Sequence, residues 1–205
     1  MDAWGIDVVL TAAQKCLGAP PGLAILVLSG LAMEKRRSLA AVPAYYADLL
    51  RWLPIMRDPV KYFSTPCVNQ IRAFAEATRI ILEEGLEERF ERHDLYAEAI
   101  RAGLDALGFA FFTEPDFLAP TLSVVRYPEG VDDAAFRAGL AANGVVVAGG
   151  LAATAGRVFR MGHMGNLTSA QVRFAIEAVE KTLTGLGRGF EPGSGLAAVD
   201  GVLKA

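Results

Sequence analysis

Two short apolar runs near the start of the chain, residues 8–10 and 23–28, flank the segment "TAAQKCLGAPPG". Runs of this length, rich in Val, Ile and Leu, are typical of strands covered on both faces of a largely parallel sheet. The glycines and prolines between them predict a turn. Because α/β proteins place ligands at the carboxyl ends of such strands, this turn is a candidate site.

One charged side chain, Lys15, lies in this turn between the two apolar runs. Lysines that are kept away from water are the ones that form covalent bonds with carbonyl groups. An ordinary exposed turn lysine is the alternative. The residues around Lys15 do not by themselves decide between the two.

The composition excludes several classes of protein. Of the 205 residues, 53% are hydrophobic, which is enough for a sizeable core. The net charge of −3, with acidic and basic residues interleaved, argues against a nucleic-acid partner. No apolar run approaches the roughly 18 residues of a membrane span, so no membrane partner is expected. Two cysteines without a basic leader indicate a reducing compartment, and we expect a cytoplasmic protein.

Apolar residues at helical spacing predict two long helices, one over 66–82 and a second that ends at Gly108. Shorter helices are predicted over 32–38, 43–53, 132–143 and 168–184, and strands in "FAFF", "TLSVVRY", "GVVVA" and "RVFRM".

These elements predict two domains. Residues 1–90 would form the first domain, which ends within the long helices. Residues 91–184 would form an α+β domain, because strands and helices are mixed within a short stretch of chain. The tail, residues 185–205, is rich in glycine and is expected to be disordered.

A second candidate site lies in "RVFRMGHMG", where Arg157 and Arg160 belong to one predicted strand. Their spacing puts them on opposite faces of that strand, so one of them should face inward. An inward guanidinium keeps its proton and must meet an anion. That anion is either a carboxylate of the protein itself or a substrate carboxylate held by two parallel hydrogen bonds.

Three hydroxyl side chains, Tyr62, Ser64 and Thr65, cluster in the irregular segment "KYFSTP". Such a cluster could bind phosphate oxygens. It could equally serve the helix that is predicted to begin near Pro66, with Thr65 in the capping position. Both interpretations stay open on the sequence.

The histidines and the glycines give weaker signals. His93 and His163 are too few to build a zinc site, so no metal is expected. His163 could act as an acid or base, but a hydrogen-bonded histidine of the core or a loop is the better interpretation. The glycines of "AGGLAATAG" lack the GxGxxG spacing of a phosphate-binding loop.

Four stretches, in order along the chain, resemble segments of the class V aminotransferases, which are fold-type I pyridoxal-phosphate enzymes. "TAAQKCLGAPPGLAILVLS" resembles the lysine segment, and "YFSTPCVNQIRAFAEAT" resembles the Tyr-x-x-Thr-Pro segment with its following helix. "ERHDLYAEAIRAGLDALG" resembles the helix that leads into the small domain, and "GRVFRMGHMG" the strand with the carboxylate-binding arginine. The resemblance is greatest to the alanine–glyoxylate and serine–glyoxylate (serine–pyruvate) branch.

This resemblance implies a role for each matched residue. Lys15 matches the lysine that forms the Schiff base with pyridoxal 5'-phosphate, and Gln14 matches a side chain that contacts the cofactor phosphate. Tyr62 and Thr65 match residues that reach the phosphate of the neighbouring subunit, which implies a homodimer. Arg160 matches the arginine that pairs with the substrate α-carboxylate.

The resemblance also implies a fold and an activity. The fold would be α/β, comprising the C-terminal part of the aspartate-aminotransferase-like large domain and an α+β small domain. The activity would be transamination of alanine or serine, with glyoxylate or pyruvate as the amino acceptor. Aspartate- and ureidoglycine-type class V enzymes share these motifs and stay open as alternatives.

Family members extend well beyond the part that this chain resembles. Their preceding part supplies the ring that stacks on the cofactor, a Gly-rich phosphate turn and the Asp that pairs with the pyridinium nitrogen. Asp2 and Asp7 are too close to Lys15 to match that Asp. We therefore expect this chain to be the C-terminal half of an aminotransferase, with Met1 an internal position. A non-catalytic fragment is the alternative to an enzyme.

Overall fold

The structure, a computed structural model, describes residues 1–204 and divides into two compact units, Met1–Ile80 and residues 81–204. The division falls within a long helix, before the boundary predicted at residue 90. Within residues 1–204, none of the helices is both long and apolar enough to cross a membrane.

The first unit contains a two-stranded antiparallel sheet. β1 (Val8–Ala12) pairs with β2 (Ala24–Leu28), and Val9 lies opposite Val27. The expectation of a parallel sheet covered on both faces is wrong for these strands, since Leu10 is 68% exposed. The connection, residues 13–23, is shorter than the crossover that a parallel pair requires, and the strands therefore pair antiparallel.

Two short helices follow the sheet, α1 (Gly30–Ser38) and α2 (Leu49–Arg57). The helix predicted over 43–53 begins later than expected because Asp48 caps it. The Asp48 carboxylate accepts the Leu50 amide hydrogen at 3.1 Å and pairs with Arg36 at 2.6 Å. Proline is common as the first residue of a helix, but Pro43 does not begin this one.

Helix α3 (Val68–Glu84) packs on the loop that joins β1 to β2. Its Ala77 is buried together with Ala13 and Ala19 of that loop. Partly buried apolar side chains surround this contact: Leu23, Ile25 and Phe74. Because alanine side chains are small, the helix approaches the loop closely and fixes both of its ends.

The second unit is an antiparallel sheet with helices on one face, in the strand order β3–β4–β6–β5. Val125, Phe159 and Met161 are buried in one cluster with side chains of all four helices. The strands are β3 (Ala110–Phe111), β4 (Leu122–Arg126), β5 (Ala148–Gly149) and β6 (Val158–Gly162). The helices are α4 (Leu86–Ala106), α5 (Asp133–Ala142), α6 (Ser169–Gly185) and α7 (Ser194–Leu203).

Helix α7 corrects the expectation that residues 185–205 are disordered. Its Val199 is 0% exposed and belongs to the core of the unit. The contact with α4 is close because Gly103 has no side chain: a Cβ there would lie 2.9 Å from the Val199 Cγ2. The glycines that suggested disorder include Gly195, which lies in α7 and is itself buried.

We predict that Val199→Ala destabilises the chain by about 2 kcal/mol, because it removes two buried methyl groups and leaves a cavity. The matched control is Val146→Ala, since Val146 is 85% exposed. Urea unfolding of the two variants measures the difference. Equal stabilities would show that α7 contributes nothing to the core.

Candidate active site

Lys15 lies in the turn between β1 and β2, and its side chain is exposed. The Gly18 amide donates to the Lys15 carbonyl at 2.9 Å, and the Ala19 amide donates to the Ala13 carbonyl at 3.0 Å. Since Ala13 and Ala19 are also buried against α3, the backbone of the turn is anchored on both sides. The structure therefore gives an amine open to solvent on a fixed backbone, and not the desolvated lysine considered above.

One glutamine belongs to this turn and another to the helix that packs on it. Gln14 precedes Lys15 in the same turn and is also exposed. Gln70 of α3 packs against Gly22, where a Cβ would lie 3.3 Å from the Gln70 Cδ. The Gln70 Oε1 is buried and accepts no hydrogen bond from the described residues. No pattern in the sequence distinguishes Gln70 from any other polar residue of a helix.

Tyr62 and Thr65 lie on the irregular segment before α3, and both are exposed. Helix α3 begins at Val68, so the prediction that Thr65 occupies the capping position is wrong. The two hydroxyl groups are thus not explained by helix capping.

Aromatic packing holds the segment that carries these hydroxyls. The Phe63 ring lies 5.0 Å from the Trp52 ring and 5.7 Å from the Tyr45 ring, both in edge-on geometry. Tyr46 contacts the Trp52 and Phe63 rings, and its carbonyl accepts the Trp52 indole hydrogen at 2.6 Å. Edge-on pairs of this kind stabilise a fixed arrangement, so Phe63 anchors its neighbours.

Arg160 lies in the middle of β6, opposite Val124 of β4 and Ala148 of β5. Its side chain is half-buried, and its Nε–H donates to the Gly149 carbonyl at 2.9 Å. No carboxylate of residues 1–204 forms an ion pair with it, so the structure shows no internal partner of the kind considered above. Arg157 is exposed in the turn before β6, so the prediction that both arginines belong to one strand is wrong.

His163 is buried just after β6, as the interpretation of a core histidine predicts. Its Nε2 lies 2.9 Å from the Ser123 Oγ, and its Nδ1 lies 3.1 Å from the Pro120 carbonyl oxygen. Burial, with a smaller effect of the Arg101 charge, lowers the pKa of His163 to about 4. The ring is therefore neutral at physiological pH, with both nitrogens engaged.

The candidate residues fall into three groups. Gln14 and Lys15 share one turn, and Tyr62 and Thr65 share one segment. The turn packs on α3 and the segment leads directly into it, so one helix supports both groups in the first unit. Arg160 belongs to the second unit.

Known proteins resemble this chain over nearly its whole length. An uncharacterised aminotransferase of Methanocaldococcus jannaschii is 39% identical over 189 residues, which are 91% of this chain and 49% of that protein. The L-aspartate–glyoxylate aminotransferase of Paracoccus denitrificans is 36% identical over 200 residues, which are 97% of this chain and 50% of that protein. The crystal structure of the ureidoglycine–glyoxylate aminotransferase of Bacillus subtilis has a TM-score of 0.93 at 30% identity, and the match covers 100% of this chain and 54% of that one. No protein-family model matches.

The solved structures that resemble this chain have the aspartate-aminotransferase-like fold, which confirms the predicted fold class. The relatives and solved structures that this chain matches are class V aminotransferases, in agreement with the resemblance of the four motifs. The chain spans about half the length of the curated relatives it matches, in agreement with the half that the four motifs predict.

We predict that acid destabilises the chain through His163. An unfolded histidine titrates near pH 6.5 and the folded one near 4, so between these values the unfolded chain binds more protons. The stabilisation is complete above pH 6.5 and is lost as the pH falls towards 4, by up to about 3 kcal/mol.

Denaturant unfolding at pH 7 and pH 4.5 measures this loss, and His163→Gln should reduce it. An unchanged pH dependence in that variant would contradict the assignment of the effect to His163.

Proposed function

We propose that this protein acts as a pyridoxal-phosphate-dependent aminotransferase, which transfers the amino group of alanine or serine to glyoxylate or pyruvate. The observation that carries the proposal is the accessible Lys15 amine on an anchored turn. Its position within a chain homologous to aminotransferases supports the role of cofactor lysine.

The side chains of the first unit suit the anionic cofactor. Lys15, Gln14, Tyr62 and Thr65 all supply hydrogen-bond donors and are exposed. The turn "TAAQKCLGAPPG" and the segment "YFSTPC" contain no acidic residue that would repel a phosphate. We infer that Lys15 holds the cofactor, while Gln14, Tyr62 and Thr65 bind its phosphate.

Each residue would then contribute one part of the chemistry. The bound cofactor supplies an electron sink for the electrons released at the substrate Cα. Lys15 Nζ is the base that would remove the proton from the substrate Cα and deliver it to the C4′ carbon of the bound cofactor. Arg160 holds the substrate α-carboxylate, a contribution of orientation.

Tyr62 and Thr65 extend the proposal to a homodimer, in which each subunit completes the phosphate site of its neighbour. Three features support this role: the family resemblance, the exposure of both hydroxyls, and the Phe63 anchor between them. In a symmetric dimer the same segment would make this contact twice.

The similar proteins support the reaction class more strongly than they support any particular pair of substrates. The names of the two substrate-specific relatives given above share glyoxylate but differ in the amino donor, which is L-aspartate in one and ureidoglycine in the other. They therefore support glyoxylate as acceptor more than any single donor. Assaying alanine, serine and aspartate side by side with glyoxylate separates these donors.

Titration with pyridoxal phosphate tests the proposal directly. We expect binding to change the visible absorbance of the cofactor, and Lys15→Ala to abolish that change. Lys35→Ala is the matched control, because Lys35 is an exposed lysine of α1. An equal spectral change in the Lys15→Ala protein would contradict the role of Lys15. No change in any variant would favour the non-catalytic fragment.

We predict that Tyr62→Phe weakens cofactor binding by about three- to tenfold, because one hydrogen bond to an anionic group is lost. Tyr45→Phe is the control, because it also removes a tyrosine hydroxyl and its ring packs on Phe63, the neighbour of Tyr62. Equilibrium titration of the cofactor measures both. Identical affinities would remove Tyr62 from the phosphate site.

For Arg160→Lys we predict a loss of roughly 10- to 1,000-fold in kcat/KM, or about 1.4–4 kcal/mol, with cofactor affinity unchanged. Lysine keeps the charge but cannot form two parallel hydrogen bonds to a carboxylate. Arg157→Lys, in the exposed turn of the same motif, is the control. Steady-state kinetics with alanine as donor distinguish the two, and equal kinetics would refute the assignment of Arg160.

A further inference from the structure

The orientation of Arg160 depends on the strand beside it. Its Nε–H donates to the Gly149 carbonyl at 2.9 Å, so this nitrogen is already engaged. An arginine can take a carboxylate through Nε and one terminal nitrogen, or through both terminal nitrogens. With Nε engaged by Gly149, only the second mode is left.

The strand that supplies this carbonyl has little support from the sheet. β5 contains only Ala148 and Gly149 and lies at the edge, paired with β6 alone. Gly149 is in register with Phe159, whereas Ala148 is in register with Arg160. Because side chains alternate along a strand, the side-chain position of Gly149 faces away from Arg160.

Arg137 of α5 packs against Gly149 on that opposite face. A Cβ on Gly149 would lie 3.4 Å from both the Cζ and the Nε of Arg137. The flat guanidinium group therefore lies over the side-chain position of Gly149, at a distance that would still accommodate a Cβ. The residue that holds Arg160 thus has a second arginine on its other face.

Arg137 is itself held in place. Its Nε and Nη2 donate to the two carboxylate oxygens of Asp133, at 3.0 Å and 2.7 Å. The Tyr127 hydroxyl donates to Asp133 at 2.6 Å. The hydrogen bond from Arg137 lowers the pKa of Asp133, while burial and the bond to Asp133 raise the pKa of Tyr127. All three groups therefore keep one protonation state at neutral pH.

We propose that Arg137 is a positioning residue for the substrate carboxylate: held by Asp133, it supports Gly149 so that the Gly149 carbonyl orients Arg160. The inference rests on the proposed role of Arg160. It adds that the carboxylate is taken by the two terminal nitrogens of Arg160, and that α5, which carries Arg137, determines how well they are aimed.

The hydrogen bond at Arg160 Nε can be followed in the chain itself. In protein labelled with ¹⁵N-arginine, exchange of the Arg160 Nε–H with solvent should be slow in the wild type. Arg137→Ala should accelerate it by about tenfold or more, because Gly149 loses its support. Asp133→Asn keeps the arginine but weakens its anchor, and should have a smaller effect in the same direction.

Lys181→Ala is the matched control, because Lys181 and Glu177 form an ion pair of the same spacing, 2.7 Å apart, on the exposed face of α6. It should leave the exchange rate unchanged. If Arg137→Ala proves too unstable to study, the Asp133→Asn protein gives the same reading.

Steady-state kinetics of the cofactor-loaded protein, with alanine as the amino donor, provide a second test of the inference. Arg137→Ala should raise the KM for alanine by about three- to tenfold with little change in kcat, which a loss of general stability would not produce. Unchanged Nε–H exchange and unchanged KM would overturn the inference. Arg160→Lys, measured in parallel, separates the two claims. If Arg160→Lys also leaves KM and kcat/KM unaltered, the proposed role of Arg160 itself is refuted, and not only its positioning by Arg137.

Discussion

The packing of α3 on the β1–β2 loop is the contact on which the first unit depends. Ala13, Ala19 and Ala77 form its buried centre. A two-stranded sheet alone is marginal in water, so the helix supplies the stability that fixes the turn. The consequence for Lys15 is a rigid backbone beneath an accessible amine.

Neighbouring elements also fix Arg160, in this case through strand pairing and a hydrogen bond. Its backbone is fixed by pairing with β4 and β5, and its Nε by the Gly149 carbonyl, while no carboxylate of the described residues neutralises its charge. A charged group held in one orientation without an internal partner is suited to bind an anion from outside. Both candidate side chains, Lys15 and Arg160, thus lie on backbones whose positions are decided by neighbouring elements.

Much of the second unit could be predicted from the sequence because its patterns are local. Alternation marked β4 and β6, and helical spacing marked α5 and α6. The errors came from contacts between distant residues. The capping of α2 by Asp48, which also binds Arg36, displaced the start of that helix. Helix α7 was missed because its packing on α4 depends on Gly103 of α4, a distant residue that no local pattern reveals. For Lys15 the sequence left both an exposed and a desolvated lysine open, and the structure shows the exposed one.

The chemistry of the site was found through the resemblance, since spacing alone left Lys15 and Arg160 undecided. The support of Arg160 through Gly149 and Arg137 had no signal in the sequence. The central claim is that Lys15 holds the cofactor, and peptide mapping after borohydride reduction with pyridoxal phosphate tests it most directly. We expect the reduced cofactor on the peptide that contains Lys15. Its recovery on any other lysine, or on none, would contradict the account.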